Sequence, residues 1–186
     1  SRTANVEGPA NLAELSGQQG FGLVHFSTDF VFDGQQGDYK ETDRPNPLST
    51  YGRHKHEGEQ PVLDAGGFVL RTAYLYGANG RGHFVNTVIN LARSAPKRPF
   101  VNDQIGSPTF TPDLAEMTRY LVEHGYSVDQ HIFHTVNQGK VSRADFAREI
   151  IKILGLNCQV EDVSTEVFNQ GRQGMPAEPR PAVGAA

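Results

Sequence analysis

Short apolar runs alternate with stretches of helical spacing along this chain, and that alternation constrains the fold more than any other feature. "FGLVHFST" at 21–28 and "FVLRTAYLYG" at 68–77 are strand-length, apolar and partly β-branched, and read as buried strands. Between them "STYGRHKHEGEQPVLDAG" carries helix signals: Ser49 or Thr50 as cap and Gly66 or Gly67 as stop. Pro61 inside this span predicts a kink or an early end. Upstream, "ANLAELSGQQG" predicts the end of an amphipathic helix stopped at Gly17 or Gly20. Downstream, Phe84, Val88, Leu91 and Ala92 share helical spacing, and "PDLAEMTRYLVEHG" runs from Pro112 in a first turn to a stop at Gly125. "VSRADFAREIIKILG" predicts a further helix, capped by Ser142, with an apolar stripe of Phe146, Ile150, Ile151 and Leu154. "QHIFHTVN" and "NCQVEDVS" are strand-like, and "RPFVNDQIGSPTFTPD" mixes a short strand with loop. Such alternation predicts an α/β fold with a mainly parallel sheet. Right-handed crossovers then place functional loops at the carboxyl ends of strands, here after Thr28 and Thr72.

The remaining bulk properties narrow the class. With 186 residues the chain can bury a real core. A net charge of -4 without any Lys/Arg run argues against nucleic acid and acidic membrane surfaces as partners. The apolar stretches are far shorter than the roughly 20 residues a membrane helix needs. No segment at the start has the pattern of a signal peptide, and the lone Cys158 fits a reducing compartment, so the cytoplasm is the expected location. Residues 29–50 are a long loop of the kind that binds something. From Asn169 onward there is little to bury, which predicts a mobile tail or an unfinished segment. No G-x-G-x-x-G or G-x-x-G-x-x-G is present, so the chain reads as a fragment without a pyrophosphate-binding turn.

Chemistry concentrates in "YGRHK". Tyr51 and Lys55 are one helical turn apart on the same face. An ammonium near a phenol favours the phenolate and would lower the tyrosine from its usual pKa of about 10. Such a tyrosine can give a proton to a carbonyl that receives hydride. Ser27 and Thr28, at the end of the first strand, supply hydroxyls where a substrate oxygen could be held. Taken alone, the Tyr–Lys spacing is also what an ordinary exposed helix turn would carry.

Other groups have blander readings. The period-2 spacing of His25, Ser27 and Asp29 puts them on one strand face, whereas a serine triad converges from different elements. His54 and His56, and His131 and His134, lack further ligands nearby, so no metal site is expected. Asp29, Asp33, Asp38, Glu41 and Asp43 read as a solvated acidic loop without EF-hand spacing. Cys158 reads as a small buried hydrophobe.

The motifs "STDFVFDG", Y-x-E-T-D-x-P-x-P-L-x-x-Y-G-x-x-K-x-x-G-E, "LRTAYLYG", "FVNTVINLA", "NDQIGSPTFTPDLA", "IFHTVNQG" and "PRPAV" follow one another over about residues 5–183. In this combination and order the chain resembles the extended short-chain dehydrogenase/reductases, and among them the dTDP-4-dehydrorhamnose reductase family. The resemblance implies a partial Rossmann-type, doubly wound parallel sheet with part of a small C-terminal substrate-binding lobe. It divides the chain into the second half of a dinucleotide-binding domain (1–76), a mixture of substrate lobe and returning Rossmann elements (77–168), and a tail (169–186).

It also implies roles. Thr28, Tyr51 and Lys55 match the catalytic triad: Tyr51 the general acid, Lys55 its tuning cation and a ligand of the nicotinamide ribose, Thr28 the holder of the 4-keto oxygen. Ser27, Arg71 and Thr72 fall beside the cofactor, which is NADP or NAD, with NADPH favoured. Asp29, Phe30, Tyr74, Gln104, Gly106, Ser107, Pro108 and Thr109 would border the nucleotide sugar. Family members more often carry Tyr where Phe30 stands and Trp where Tyr74 stands, so one hydroxyl and some stacking surface differ here. The implied reaction is reduction of the C4 ketone of dTDP-4-dehydro-6-deoxy-L-mannose to dTDP-L-rhamnose. A dTDP-sugar is the expected partner, and a homodimer is left open. The fragment itself is expected to be inactive and to bind dinucleotide weakly or not at all. Two alternatives stand: a reductase or epimerase for another nucleotide sugar, or a non-catalytic regulatory subunit of the methionine adenosyltransferase beta type.

Overall fold

A computed structural model of the chain describes residues 1–78, 82–125 and 129–170. Six α-helices and nine strands alternate among them. A π-helical turn, Thr3–Glu7, leads into α1 (Gly8–Gln19), which stops at Gly20 with φ 74°. Of the two glycines that could stop it, the second does so, because its left-handed backbone is open to glycine at no steric cost. β1 (Val24–Thr28) follows, then a 3-10 turn, Asp29–Val31, and α2 (Thr50–Asp64). Ser49 caps α2 by accepting from the Gly52 N–H at 2.9 Å. Pro61 does not end α2, which runs on to Asp64 before Gly66 turns left-handed.

β2 (Phe68–Thr72) is buried at every position and pairs in parallel with β1, Thr28 lying level with Thr72. The other edge of β2 takes β7 (Ile132–His134), also parallel, giving the order β1-β2-β7. The return to β7 passes through β3 (Leu75–Tyr76), α3 (Phe84–Ser94), β4 (Lys97–Val101), β5 (Ile105–Gly106), β6 (Thr109–Phe110) and α4 (Thr111–His124). β8 (Val141–Ser142), α5 (Arg143–Ile153), β9 (Gln159–Val163) and α6 (Thr165–Gln170) complete the described chain. β3–β6 and β4–β9 are parallel pairs, while β5–β8 is antiparallel.

Two cores result. Leu70 on β2 packs with Leu114 and Leu121 of α4, helped by Val24 and Phe133. Val88 and Ala92 of α3, Phe100 of β4, and Ala144, Ala147, Ile150 and Ile151 of α5 form the second. Leu154, expected in the α5 stripe, is exposed, because the helix ends at Ile153 and the last turn leaves the packed face. Cys158 is half-buried against the second core rather than enclosed in it. Asn169, expected to open a tail, instead lies in the last turn of α6, and residues 171–186 lie outside the described residues. Among the described residues no helix is long and apolar enough to cross a membrane.

Candidate active site

The carboxyl end of β1 and the first turns of α2 carry Thr28, Tyr51 and Lys55. Thr28 ends β1 in extended conformation and caps the 3-10 turn, its Oγ1 accepting from the Phe30 N–H at 3.3 Å. The same hydroxyl donates to Asp29 Oδ1 at 3.1 Å and sits close enough to the Tyr51 phenol to favour its ionised form. It has one proton for these neighbours, so Asp29 and Tyr51 compete for it. Tyr51 stands at the start of α2, 39% exposed, with its ring edge-on to Phe30 at 5.7 Å. The approach of the Phe30 segment depends on Gly52: a Cβ there would come 2.2 Å from the Phe30 carbonyl oxygen.

Lys55, one turn further along, is 8% exposed. Its Nζ donates to the Phe26 carbonyl at 2.5 Å and lies 3.2 Å from His25 Nε2. The ammonium therefore sits against β1. Burial, not Lys55, dominates Tyr51, whose phenol is pushed above its usual value; the Asp29 charge adds to this and the Thr28 bond opposes it. The expected lowering by Lys55 is not what this geometry produces. Burial also lowers Lys55, with Glu59 pulling the other way.

Beneath this group lies a carboxylate that the sequence reading missed. Glu59, 2% exposed, accepts from Ser27 Oγ at 2.5 Å, Arg71 Nε at 3.0 Å and Arg71 Nη2 at 2.7 Å. His56 Nδ1 lies 3.1 Å from its other edge. Burial raises Glu59, but the Arg71 guanidinium and the other donors outweigh it and hold it below the ordinary glutamate range. A signal was available: Tyr51, Lys55 and Glu59 recur every four residues along one helix face. Ser27 and Arg71, expected beside the cofactor, thus turn their side chains inward to Glu59, and Arg71 also stacks over Phe32 at 5.2 Å. His25 pairs with Lys55 and Ser27 with Glu59, while Asp29 lies beyond the end of β1 rather than on its face.

The acidic loop is less solvated than its composition suggests. Asp29 is buried, and burial pushes its carboxyl up to about 6, against the Thr28 hydrogen bond and the positive charge of Arg143. Glu41 accepts from the His134 N–H at 2.9 Å, and Asp33 accepts from Tyr39 and Asn46.

The residues expected to border the sugar separate into two kinds. Tyr74 has φ 45°, and its ring lies against Gly106, where a Cβ would come 2.8 Å from Cζ. The Arg143 guanidinium stacks on that ring at 4.2 Å, so Arg143, also missed from sequence, joins α5 to the Tyr74–Asp29 corner. Gln104, by contrast, bridges inward: its Nε2 donates to Thr165 at 3.0 Å and its Oε1 accepts from Arg143 at 3.2 Å. Ser107 and Thr109 are buried, Thr109 Oγ1 donating to the Ser107 carbonyl at 3.1 Å, and Pro108 is half-buried.

Residues 1–178 match the family model described as the RmlD substrate binding domain. The chain belongs to this family. Its sequence is 39% identical over 155 residues to a dTDP-4-keto-6-deoxy-D-glucose reductase of Streptomyces niveus, covering 81% of this chain and 52% of that protein. It is 38% identical over 159 residues to a dTDP-4-dehydrorhamnose reductase of Mycolicibacterium smegmatis, covering 83% and 48%. The structure superimposes with TM-score 0.86 on the dTDP-4-dehydrorhamnose reductase of Bacillus anthracis in complex with NADP, at 35% identity, covering 97% of this chain and 62% of that one. The Clostridium acetobutylicum protein of the same name gives 0.86 at 36% identity, with the same coverage. This RmlD-family chain therefore spans about half the length of the curated relatives it matches.

Proposed function

We propose that the protein is an NADPH-dependent oxidoreductase that reduces the C4 ketone of dTDP-4-dehydro-6-deoxy-L-mannose to dTDP-L-rhamnose, in the cytoplasm. The observation that carries this reading is that Thr28 ends β1 beside the Tyr51 phenol while Lys55, one helical turn on, sets its ammonium on the same strand, in a chain of this family. The residues fit the nicotinamide end of such a cofactor. Thr72 Oγ1 is buried level with Thr28 and has no hydrogen-bond partner among the described residues, and Lys55 and Tyr51 offer donors suited to ribose hydroxyls. When bound, the reduced nicotinamide supplies hydride. Tyr51 gives its proton to the ketone oxygen as charge develops there. Thr28 donates to the same oxygen once its proton is released from Asp29, and the two hydroxyls together stabilise the incipient alkoxide. Lys55 orients the ribose.

The same residues would serve a C4 ketone on a differently configured 6-deoxy sugar, and the 39% identity to the Streptomyces niveus reductase supports this as a second reading. In the full-length protein, NADPH oxidation with each of the two dTDP-4-keto sugars distinguishes them. Tyr51→Phe is expected to slow turnover of the preferred sugar by about 10²–10⁴-fold, as for a lost general acid. Near-normal turnover in that variant removes Tyr51 from the reaction.

A further inference from the structure

His25 takes no part in the chemistry above, yet its Nε2 lies 3.2 Å from the Lys55 Nζ. An ammonium has protons and no lone pair, so the imidazole must be the acceptor at Nε2, with its own proton on Nδ1. Only a neutral imidazole can do this. Burial and the adjacent Lys55 charge keep it neutral, lowering it to about 4 against a weaker opposing pull from Glu59. The charged groups facing this pair are few: Glu59 from α2, with Arg71 of β2 and His56 of α2 on its carboxylate. The Phe26 carbonyl takes a second ammonium proton at 2.5 Å. Two of the three N–H directions are then fixed by β1, and tetrahedral geometry sends the third away from both acceptors. A lysine otherwise loses much rotamer freedom when a ligand orders it, so holding it beforehand favours binding.

We propose that His25 is a positioning residue, a neutral acceptor on β1 that aims the Lys55 ammonium for the cofactor. This rests on the reading of Lys55 as a cofactor ligand. It gives His25 a purpose that excludes both a serine triad and a metal site, since its one lone pair is occupied by Lys55.

The test uses the full-length protein, NADP⁺ as probe, and calorimetric dissociation constants. His25→Leu keeps the bulk and removes the acceptor. His25→Gln puts an amide oxygen near the place of Nε2 and cannot titrate. The expected result is binding weakened by about 10–100-fold in the leucine variant, the range for a lost hydrogen bond to a charged group, with most of it recovered in the glutamine variant. As pH falls from 6 towards 4, the wild type should weaken relative to His25→Gln, because a charging imidazole repels the ammonium. Melting temperatures report whether each variant folds, and where the leucine variant does not, the glutamine variant and its pH ratio decide alone. Unchanged binding in His25→Leu, equal losses in both variants, or a pH-independent ratio overturns the proposal. Lys55→Met separates the two levels. If it binds NADP⁺ normally, the role given to Lys55 fails. If it binds weakly while His25→Leu is normal, only the role of His25 fails.

Discussion

Asp29 is a carboxylate whose ionisation the fold opposes. Burial raises it, the Thr28 and backbone hydrogen bonds with the Arg143 charge recover only part of that, and the outcome is about 6 against an ordinary 3.8. Because the folded value lies above the unfolded one, Asp29 contributes stability below about pH 4 that is lost as pH rises through 6. Asp29→Asn keeps an acceptor for Thr28 and cannot ionise. The variant is therefore expected to gain on the wild type between pH 4 and 7, by at most about 3 kcal/mol, in urea unfolding at each pH. A stability difference that stays constant over that range would contradict the burial argument. Sequence placed Asp29 beside the sugar and within an acidic loop, but it could not separate the one enclosed carboxylate from its half-buried and exposed neighbours. Enclosure comes from Thr28, Phe30 and Arg143, and Arg143 is remote in sequence.

At the scale of elements, the junction between α2 and the turn after β1 sets the site. Gly52 allows that junction, since a methyl group there would overlap the Phe30 carbonyl oxygen at 2.2 Å. Backbone on one side and a helix on the other cannot both give way easily. Gly52→Ala is expected to destabilise by about 1–3 kcal/mol and to separate Tyr51 from Thr28, lowering activity further than stability alone would. Gly17→Ala is the control: it is a helical glycine with nothing within 4 Å of the new methyl, and it should stabilise by about 0.5–1 kcal/mol. Thermal unfolding of the two variants with a turnover assay checks both. Equal effects would mean that helix propensity, not close approach, explains Gly52. The helices and their caps at Ser49 and Ser142 were legible because capping is local. The continuation of α2 through Pro61 was not, because a proline breaks a helix only where packing fails to hold it.

At the scale of the whole molecule, a buried ion pair joins α2 to the sheet. Glu59 and Arg71 are each 2% exposed, and the Ser27 hydroxyl completes the carboxylate's partners from β1. Arg71 Nη1 already has no hydrogen-bond partner among the described residues. Glu59→Gln would leave a buried guanidinium without its counter-charge, at a cost of about 3–5 kcal/mol. Replacing both, Glu59→Leu with Arg71→Met, should recover much of that loss, because neither charge then has to be desolvated. Urea midpoints of the three proteins test this, and a double variant no better than Glu59→Gln would show that the pair stabilises beyond its own desolvation. Neither partner could be assigned from sequence: Glu59 carried no role there, and Arg71 was placed beside the cofactor.

The sequence alone determined the alternation of strands and helices, the parallel α/β class, the caps, and Tyr51 and Lys55 on one helix face after a strand ending in Thr28. All of these follow from periodicity and local sterics, which act over a few residues. Tertiary structure alone decided where each polar group finds its partner. It turned Ser27 and Arg71 inward to Glu59, set Gln104 between Arg143 and Thr165, buried Asp29, and laid the Lys55 ammonium on Phe26 and His25. Burial and hydrogen bonding depend on residues brought together from different elements, and no spacing along one element encodes them.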